Sequence, residues 1–201
     1  MTKNAPRLVE LESNERIWDR FFSVYPLVVI GTLDEDGTYD LAPKHLAMPL
    51  SWGSDFGFVC TPRHRTYQNI RRTGEFCVTY ARPSQIVLAS LAASPRCDDD
   101  SKPIVNALPT VPSERVAGAF LEDGYACLDC RCRKIYDDFG ENSLIAGEVL
   151  AARVAEDALK HADKDDQDLI AGAPLLAYLY PGRFAEISSS NRLPFPSGFK
   201  R

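Results

Sequence analysis

Between Tyr25 and Tyr80, three apolar β-rich runs (Leu27 to Thr32, Phe56 to Cys60 and Phe76 to Tyr80) are separated by two polar loops that mix small, hydroxyl and basic residues. No other part of the chain limits its fold as strongly. Leu27 to Thr32 reads LVVIGT, apolar without a break, the pattern of a strand covered on both faces. The Leu33 to Tyr39 turn that follows has Asp36-Gly37 at its tip, a strong hairpin signal. A returning strand is therefore predicted from about Thr38 to Ala42. Pro43 is read as breaking that strand, and Pro43 to Ser54 as a long connection. Phe56 to Cys60 is the next strand and Thr61 to Arg65 a loop. Thr66 is read as the cap of a short helix that Thr73-Gly74 ends. Glu75 to Tyr80 returns to strand. A rigid sheet carrying loops rich in cations and hydroxyl donors can hold a phosphate-bearing ligand.

The rest of the chain reads as support for that stretch. Ser13 or Asn14 can cap a helix from Glu15 to about Tyr25, with Ile17, Trp18, Phe21 and Phe22 in one stripe and Pro26 as its end. Ser84 to Ala93 reads as a short helix. Ser94 to Pro112, with its prolines and the acidic tip Asp98 to Asp100, reads as a loop or lid that shapes substrate access. Ser113 to Ala119 is read as helical. Ala126 to Ile135 alternates, which sends Cys127, Asp129, Arg131 and Arg133 to one face and Ala126, Leu128, Cys130 and Cys132 to the other. Ser143 to Val154 is a strand, and the charged stretch Ala155 to Gly172 a solvated face or loop. Leu175 to Tyr180 and Arg183 to Ile187 are strands around a Pro181-Gly182 turn. Short strands with turns and a few helices predict a mainly β fold, a β-barrel with peripheral helices. The expected organisation is a loose N-terminus over residues 1–12, one domain over 13–190 and an irregular tail over 191–201.

Composition removes some functions. The formal net charge of −5 and the pI near 5.3 argue against nucleic-acid binding, which calls for a basic footprint. No apolar run reaches the roughly 20 residues of a membrane helix, and the polar first residues have no signal-peptide core. The expectation is a cytoplasmic chain with no membrane partner. Its six cysteines are then expected to be reduced thiols.

Two loops could carry chemistry. Lys44 and His45 in the first, with Ser51 and Ser54, can donate hydrogen bonds. In the second, Thr61, Arg63, His64, Arg65 and Thr66 crowd together, and the backbone N–H groups of Thr66 and Tyr67 are read as lying at a helix start, where anions bind. The alternative is an ordinary basic surface loop. Cys127-x-x-Cys130-x-Cys132 resembles a metal cluster, but no second pair completes four ligands and Cys127 faces away from the others. No metal is expected. His45, His64 and His161 have no metal-like spacing. No nucleophile elbow, P-loop or G-x-G-x-x-G occurs, so no separate dinucleotide domain is visible.

The order of these motifs resembles the flavin reductase-like, FMN-binding split-barrel family, which includes flavoredoxin-like proteins. The resemblance rests on Asp36-Gly37, on Ala42-Pro43, and most specifically on Thr66-x-x-Asn69-Ile70 followed by Gly74-Glu75-Phe76. It continues weakly through Cys127 to Cys130, Ile145 to Val149 and Leu179 to Phe184. It implies a Greek-key split barrel, a homodimer, and FMN at the subunit interface, with FAD as the alternative. It further implies that the loop with Pro43, Lys44, His45, Leu46, Ala47 and Ser51 meets the isoalloxazine and ribityl chain. Thr61, Arg63, His64, Arg65 and Thr66 would then form the phosphate cradle, with Asn69 on the helix behind it.

Two positions depart from the family pattern. Asp40 stands where many members carry Asn, and its carboxylate would oppose negative charge on a flavin. His45 stands where many carry Ser or Thr, which adds a titratable proton and makes it the candidate catalytic residue. The implied activity is an NAD(P)H-dependent flavin reductase, passing hydride from NADH or NADPH to flavin N5, with electrons going on to free flavin, an iron centre or a partner oxygenase. The alternatives are a flavoredoxin-like electron carrier or flavin-binding module without nicotinamide activity, and a split-barrel binding protein that holds no flavin.

Overall fold

The computed structural model describes residues 7–12 and 16–198. The first strands are β1 (Ser23–Pro26), β2 (Val28–Leu33), β3 (Tyr39–Lys44), β4 (Ala47–Pro49), β5 (Asp55–Cys60) and β6 (Glu75–Tyr80). After them come β7 (Thr110–Pro112), β8 (Ala119–Leu121), β9 (Ala126–Phe139), β10 (Asn142–Val154), β11 (Leu175–Tyr180) and β12 (Arg183–Ile187). The α-helices are α1 (Arg65–Thr73), α2 (Ile86–Leu91) and α3 (Asp166–Gly172). Seven strands make one curled antiparallel sheet in the order β3-β2-β6-β9-β10-β5-β4. A second sheet, β1-β11-β12, and the hairpin β7-β8 complete the fold.

β2 is the strand covered on both faces that its sequence predicts. Val28 and Ile30 join an inner core with Phe56, Phe58, Ile70, Phe76 and Ile145. Leu27 and Val29 go to a second core with Leu41, Leu121 and Leu176. Both faces are covered because β8 lies directly on β2: a Cβ on Gly31 would come 1.8 Å from the Ala119 carbonyl oxygen. The Phe58 and Phe76 rings meet edge to face at 5.4 Å, the geometry that their quadrupoles favour. Gly37, at φ 85°, makes the tight turn into β3, and Gly74, at φ 72°, ends α1 in the left-handed conformation. β9 alternates as expected. Cys130 and Cys132 pack against the inner core, and Cys127 packs with Cys77 and Phe120 on the other side.

Five expectations give way to the structure. Over Glu15 to Tyr25, Ile17–Arg20 form a single 3-10 turn and the chain then extends into β1. The pairing of Ser23 with Tyr180 through to Pro26 with Ala177 claims that backbone, and the stripe of Trp18, Phe21 and Phe22 stays exposed. The proposed caps Ser13 and Asn14 lie outside the described residues. β3 runs through Pro43, which sits opposite Val29, and the following segment forms β4 against β5. β3 is an edge strand, where a missing N–H costs no ladder bond. The cap of α1 is His64, not Thr66, which is already helical. Ser113 to Gly118 is the β7-β8 turn and Ala119 opens β8, with the Ser113 hydroxyl accepting from the N–H groups of Arg115 and Val116. The charged stretch contains α3, because the Asp165 carboxylate caps it through the Gln167 N–H at 2.7 Å.

No helix among the described residues is long and apolar enough to cross a membrane.

Candidate functional site

The end of β3, the start of α1 and the segment 92–102 meet around a cleft of about 300 Å³. The cleft gathers Pro43, Lys44, Arg63, His64, Arg65 and Thr66 from the residues singled out in the sequence. It also brings in Asp40, Arg96 and Lys102.

Local structure places each group. His64 is extended and caps α1, so the chain enters the helix with Arg65 and Thr66 as its first residues. The Tyr67 and Gln68 N–H groups already donate to the His64 carbonyl, at 3.0 and 3.2 Å. The helix-start N–H groups without an intrahelical acceptor are therefore those of Arg65 and Thr66, one residue earlier than the sequence reading had them. The Lys44 ammonium lies 3.4 Å from His64 Nδ1, which fits a neutral ring accepting there. Burial first, then the charges of Lys44 and Arg63, pulls the His64 pKa below its ordinary value. Arg63 reaches outward to Glu141 at 3.2 Å.

Behind the cleft lies a buried ionic network. Asp40 is almost fully buried, and its carboxylate accepts from Lys102 Nζ at 3.1 Å, Arg96 at 3.3 Å and the Thr66 hydroxyl at 3.3 Å. The Asp40 charge is thus met inside the protein. Lys102 spends its other protons on the carbonyls of Leu41 and Ala92, at 2.7 and 2.8 Å. Asp34 accepts from Asn69 Nδ2 at 2.6 Å and from Arg96 at 2.5 Å, and its carboxylate is 4.0 Å from Arg65 Nε. Asn69 donates also to the Thr32 hydroxyl at 3.0 Å, so this buried amide ties α1 to the β2-β3 hairpin.

Other candidates lie apart from the cleft. The half-buried His45 ring packs against Tyr178, Tyr180 and Tyr25, with centroids at 4.7, 5.4 and 5.6 Å. Burial, and next the Lys44 charge, lowers its pKa. Ala47 is buried in the inner core. Ser51 donates to Asp55 at 2.7 Å on the surface. Leu46, Met48, Leu50 and Trp52 are exposed at every second position, next in the chain to the cleft strand. Thr61, its hydroxyl buried and without a partner among the described residues, lines a separate cleft of about 460 Å³ with Asp137, Asp138 and Glu141, whose carboxylates oppose an anion.

Sequence reasoning missed Arg96 and Lys102. Both flank the acidic tip of a stretch read as a lid, and nothing local signals that they turn inward to carboxylates at least 56 positions away.

Residues 22–188 match the family described as flavin reductase like domain. The chain belongs to that family. A protein of Methanothermobacter thermautotrophicus, itself uncharacterised, is 29% identical over 142 residues, covering 69% of this chain and 67% of that one. Nitrilotriacetate monooxygenase component B from Bacillus cereus superposes with a TM-score of 0.79 at 14% identity, covering 94% of this chain and all of that one. An FMN-binding protein from Thermus thermophilus, solved with cyclohexenone bound, gives 0.75 at 17% identity over 94% of this chain and all of that one. The sheet just described is thus a split barrel of the flavin reductase-like kind.

Proposed function

We propose that this chain binds FMN and acts as an NAD(P)H-dependent flavin reductase, with the cleft between β3 and α1 taking the flavin phosphate. The observation that carries the reading is the convergence of Lys44, His64, Arg65 and two helix-start N–H groups on one cleft. The carboxylate behind it, Asp40, is already neutralised by Lys102 and Arg96. Charge-assisted bonds to a phosphate are the strong kind, and a helix start adds its dipole. The donor set fits a phosphate monoester.

The exposed alternating side chains Leu46, Met48, Leu50 and Trp52 continue from that cleft along the chain. They supply an apolar surface for a flat ring system, and a second copy of the chain in a homodimer would cover it. When bound, the flavin supplies the hydride chemistry, taking hydride at N5 from NADH or NADPH. The protein's part is to bind, orient and exclude water. His45 sits next to Lys44, with its ring held by three tyrosines and its proton affinity lowered by burial. A neutral imidazole there would position the ring edge by hydrogen bonding. Electrons would leave to free flavin or to a partner oxygenase, a role consistent with the monooxygenase component named above.

The test is anaerobic mixing of the FMN-loaded protein with NADH and with NADPH. Loss of the oxidised flavin's visible absorbance with either supports the reductase. An unchanged spectrum with both, on protein that binds FMN, leaves a flavoredoxin-like carrier. Protein that does not bind FMN at all rejects the flavin reading.

A further inference from the structure

The segment bordering the cleft carries an anion of its own. It is rooted by Lys102, whose ammonium is bonded to Asp40, Leu41 and Ala92. Its tip is a tight turn: Asp100 N–H donates to the Cys97 carbonyl at 2.9 Å, and Cys97 N–H to the Ser101 carbonyl at 2.8 Å. The Asp99 carboxylate braces the turn by accepting from the Ser101 N–H and hydroxyl, at 3.0 and 2.6 Å. Asp100 stands at φ 63°, a left-handed conformation that Asp adopts more readily than most residues. Its carbonyl accepts from Arg96 at 2.5 Å. This turns its carboxylate onto the Arg65 guanidinium, and also to 3.9 Å from Arg96 Nε.

Arg65 therefore lies between two carboxylates of different standing. Asp34 is 9% exposed and locked by Asn69 and Arg96. Asp100 is 56% exposed, and among the described residues its carboxylate has no comparable anchor beyond the two arginines. Only Asp100 can leave at low cost.

We propose that Asp100 is a built-in competitor at the flavin site that sets how tightly a phosphorylated flavin is held: its carboxylate competes with the ligand's phosphoryl group for Arg65, and phosphate binding displaces the tip from that guanidinium. The proposal rests on the phosphate-cleft reading above. A phosphate monoester carries a charge of about −1.5 to −2 at pH 7 and three acceptor oxygens, so it outcompetes a single carboxylate. Riboflavin has no phosphate, has no need of Arg65 and leaves Asp100 in place. The exchange is a swap of ion-pair partners at one arginine, with no net change in protonation required.

Fluorescence titrations of FMN and riboflavin onto the full chain, as wild type, Asp100→Asn and Arg65→Ala, test this. Removing an exposed ion pair of this kind changes an equilibrium by about two- to fivefold. Asp100→Asn should tighten FMN by that factor and leave riboflavin unchanged, whereas Arg65→Ala should weaken FMN selectively. If Arg65→Ala weakens FMN but Asp100→Asn leaves it unchanged or weaker, or tightens both flavins equally, the competitor role is overturned and the phosphate cleft stands. If Arg65→Ala binds FMN as the wild type does, the cleft reading fails and the proposal fails with it.

Discussion

The Lys102 ammonium donates to the Asp40 carboxylate at 3.1 Å, across 62 positions of sequence, with both side chains less than a tenth exposed. This pair ties the segment beside the cleft to the strand that forms its floor. It also places a positive charge where the buried carboxylate would otherwise repel an anion.

Lys102→Met should therefore be costly. It strands the Asp40 charge with only Arg96 and Thr66, and it leaves the Leu41 and Ala92 carbonyls without that donor. Breaking a buried pair of this kind costs about 3 kcal/mol or more. Urea unfolding reads it directly, and adding Asp40→Asn should recover part of the loss, since the two residues are in contact.

Asn69→Leu separates a structural role from a ligand-binding one. The amide donates to Thr32 and Asp34 and faces inward with 1% exposure. Its removal leaves buried acceptors unpaired, which costs about 1–3 kcal/mol. The unfolding free energy from urea titration should fall by that amount, while the FMN affinity of the folded protein should change far less than it does in Arg65→Ala.

Gly31→Ala should disrupt the sheet. The added methyl would overlap the Ala119 carbonyl oxygen, a backbone atom that can move only if β8 moves. Forced overpacking in a core costs about 1–3 kcal/mol, and this contact is closer than a side chain could relieve. Thermal unfolding should show a lowered Tm, with Gly118→Ala, which would press on Gly31 and Cys77, acting at the same seam.

His64 at the cleft and His45 among the tyrosines predict a pH dependence. Burial, then Lys44, lowers the pKa of both His45 and His64 below 6.5. A base whose folded pKa is depressed binds fewer protons folded than unfolded. Stability is then full above pH 6.5 and declines as the pH falls from 6.5 through the folded values. Urea midpoints measured from pH 8 to pH 5 should fall, and His45→Gln with His64→Gln should flatten that decline.

The sheet was largely legible because its signals are local. The unbroken run of β2, the Asp36-Gly37 turn and the Gly74 helix stop each follow from a few adjacent residues. The errors arose where a distant partner decided the outcome. β1 follows a helix-like stripe, but pairing with β11 near the other end of the chain takes its backbone. Pro43 reads as a break only until β3 is known to be an edge. At the site, the basic loop was visible as composition. The salt links of Arg96 and Lys102 to Asp34 and Asp40 were not, since they depend on how an irregular segment folds back.

The central claim is that the β3-α1 cleft holds a flavin phosphate, and it is tested most directly by titrating the purified wild-type chain with FMN and with riboflavin under the same conditions. FMN is predicted to bind at least about tenfold more tightly, the difference of about 1.4 kcal/mol or more expected of charge-assisted phosphate contacts. Equal affinity for the two flavins would contradict the account.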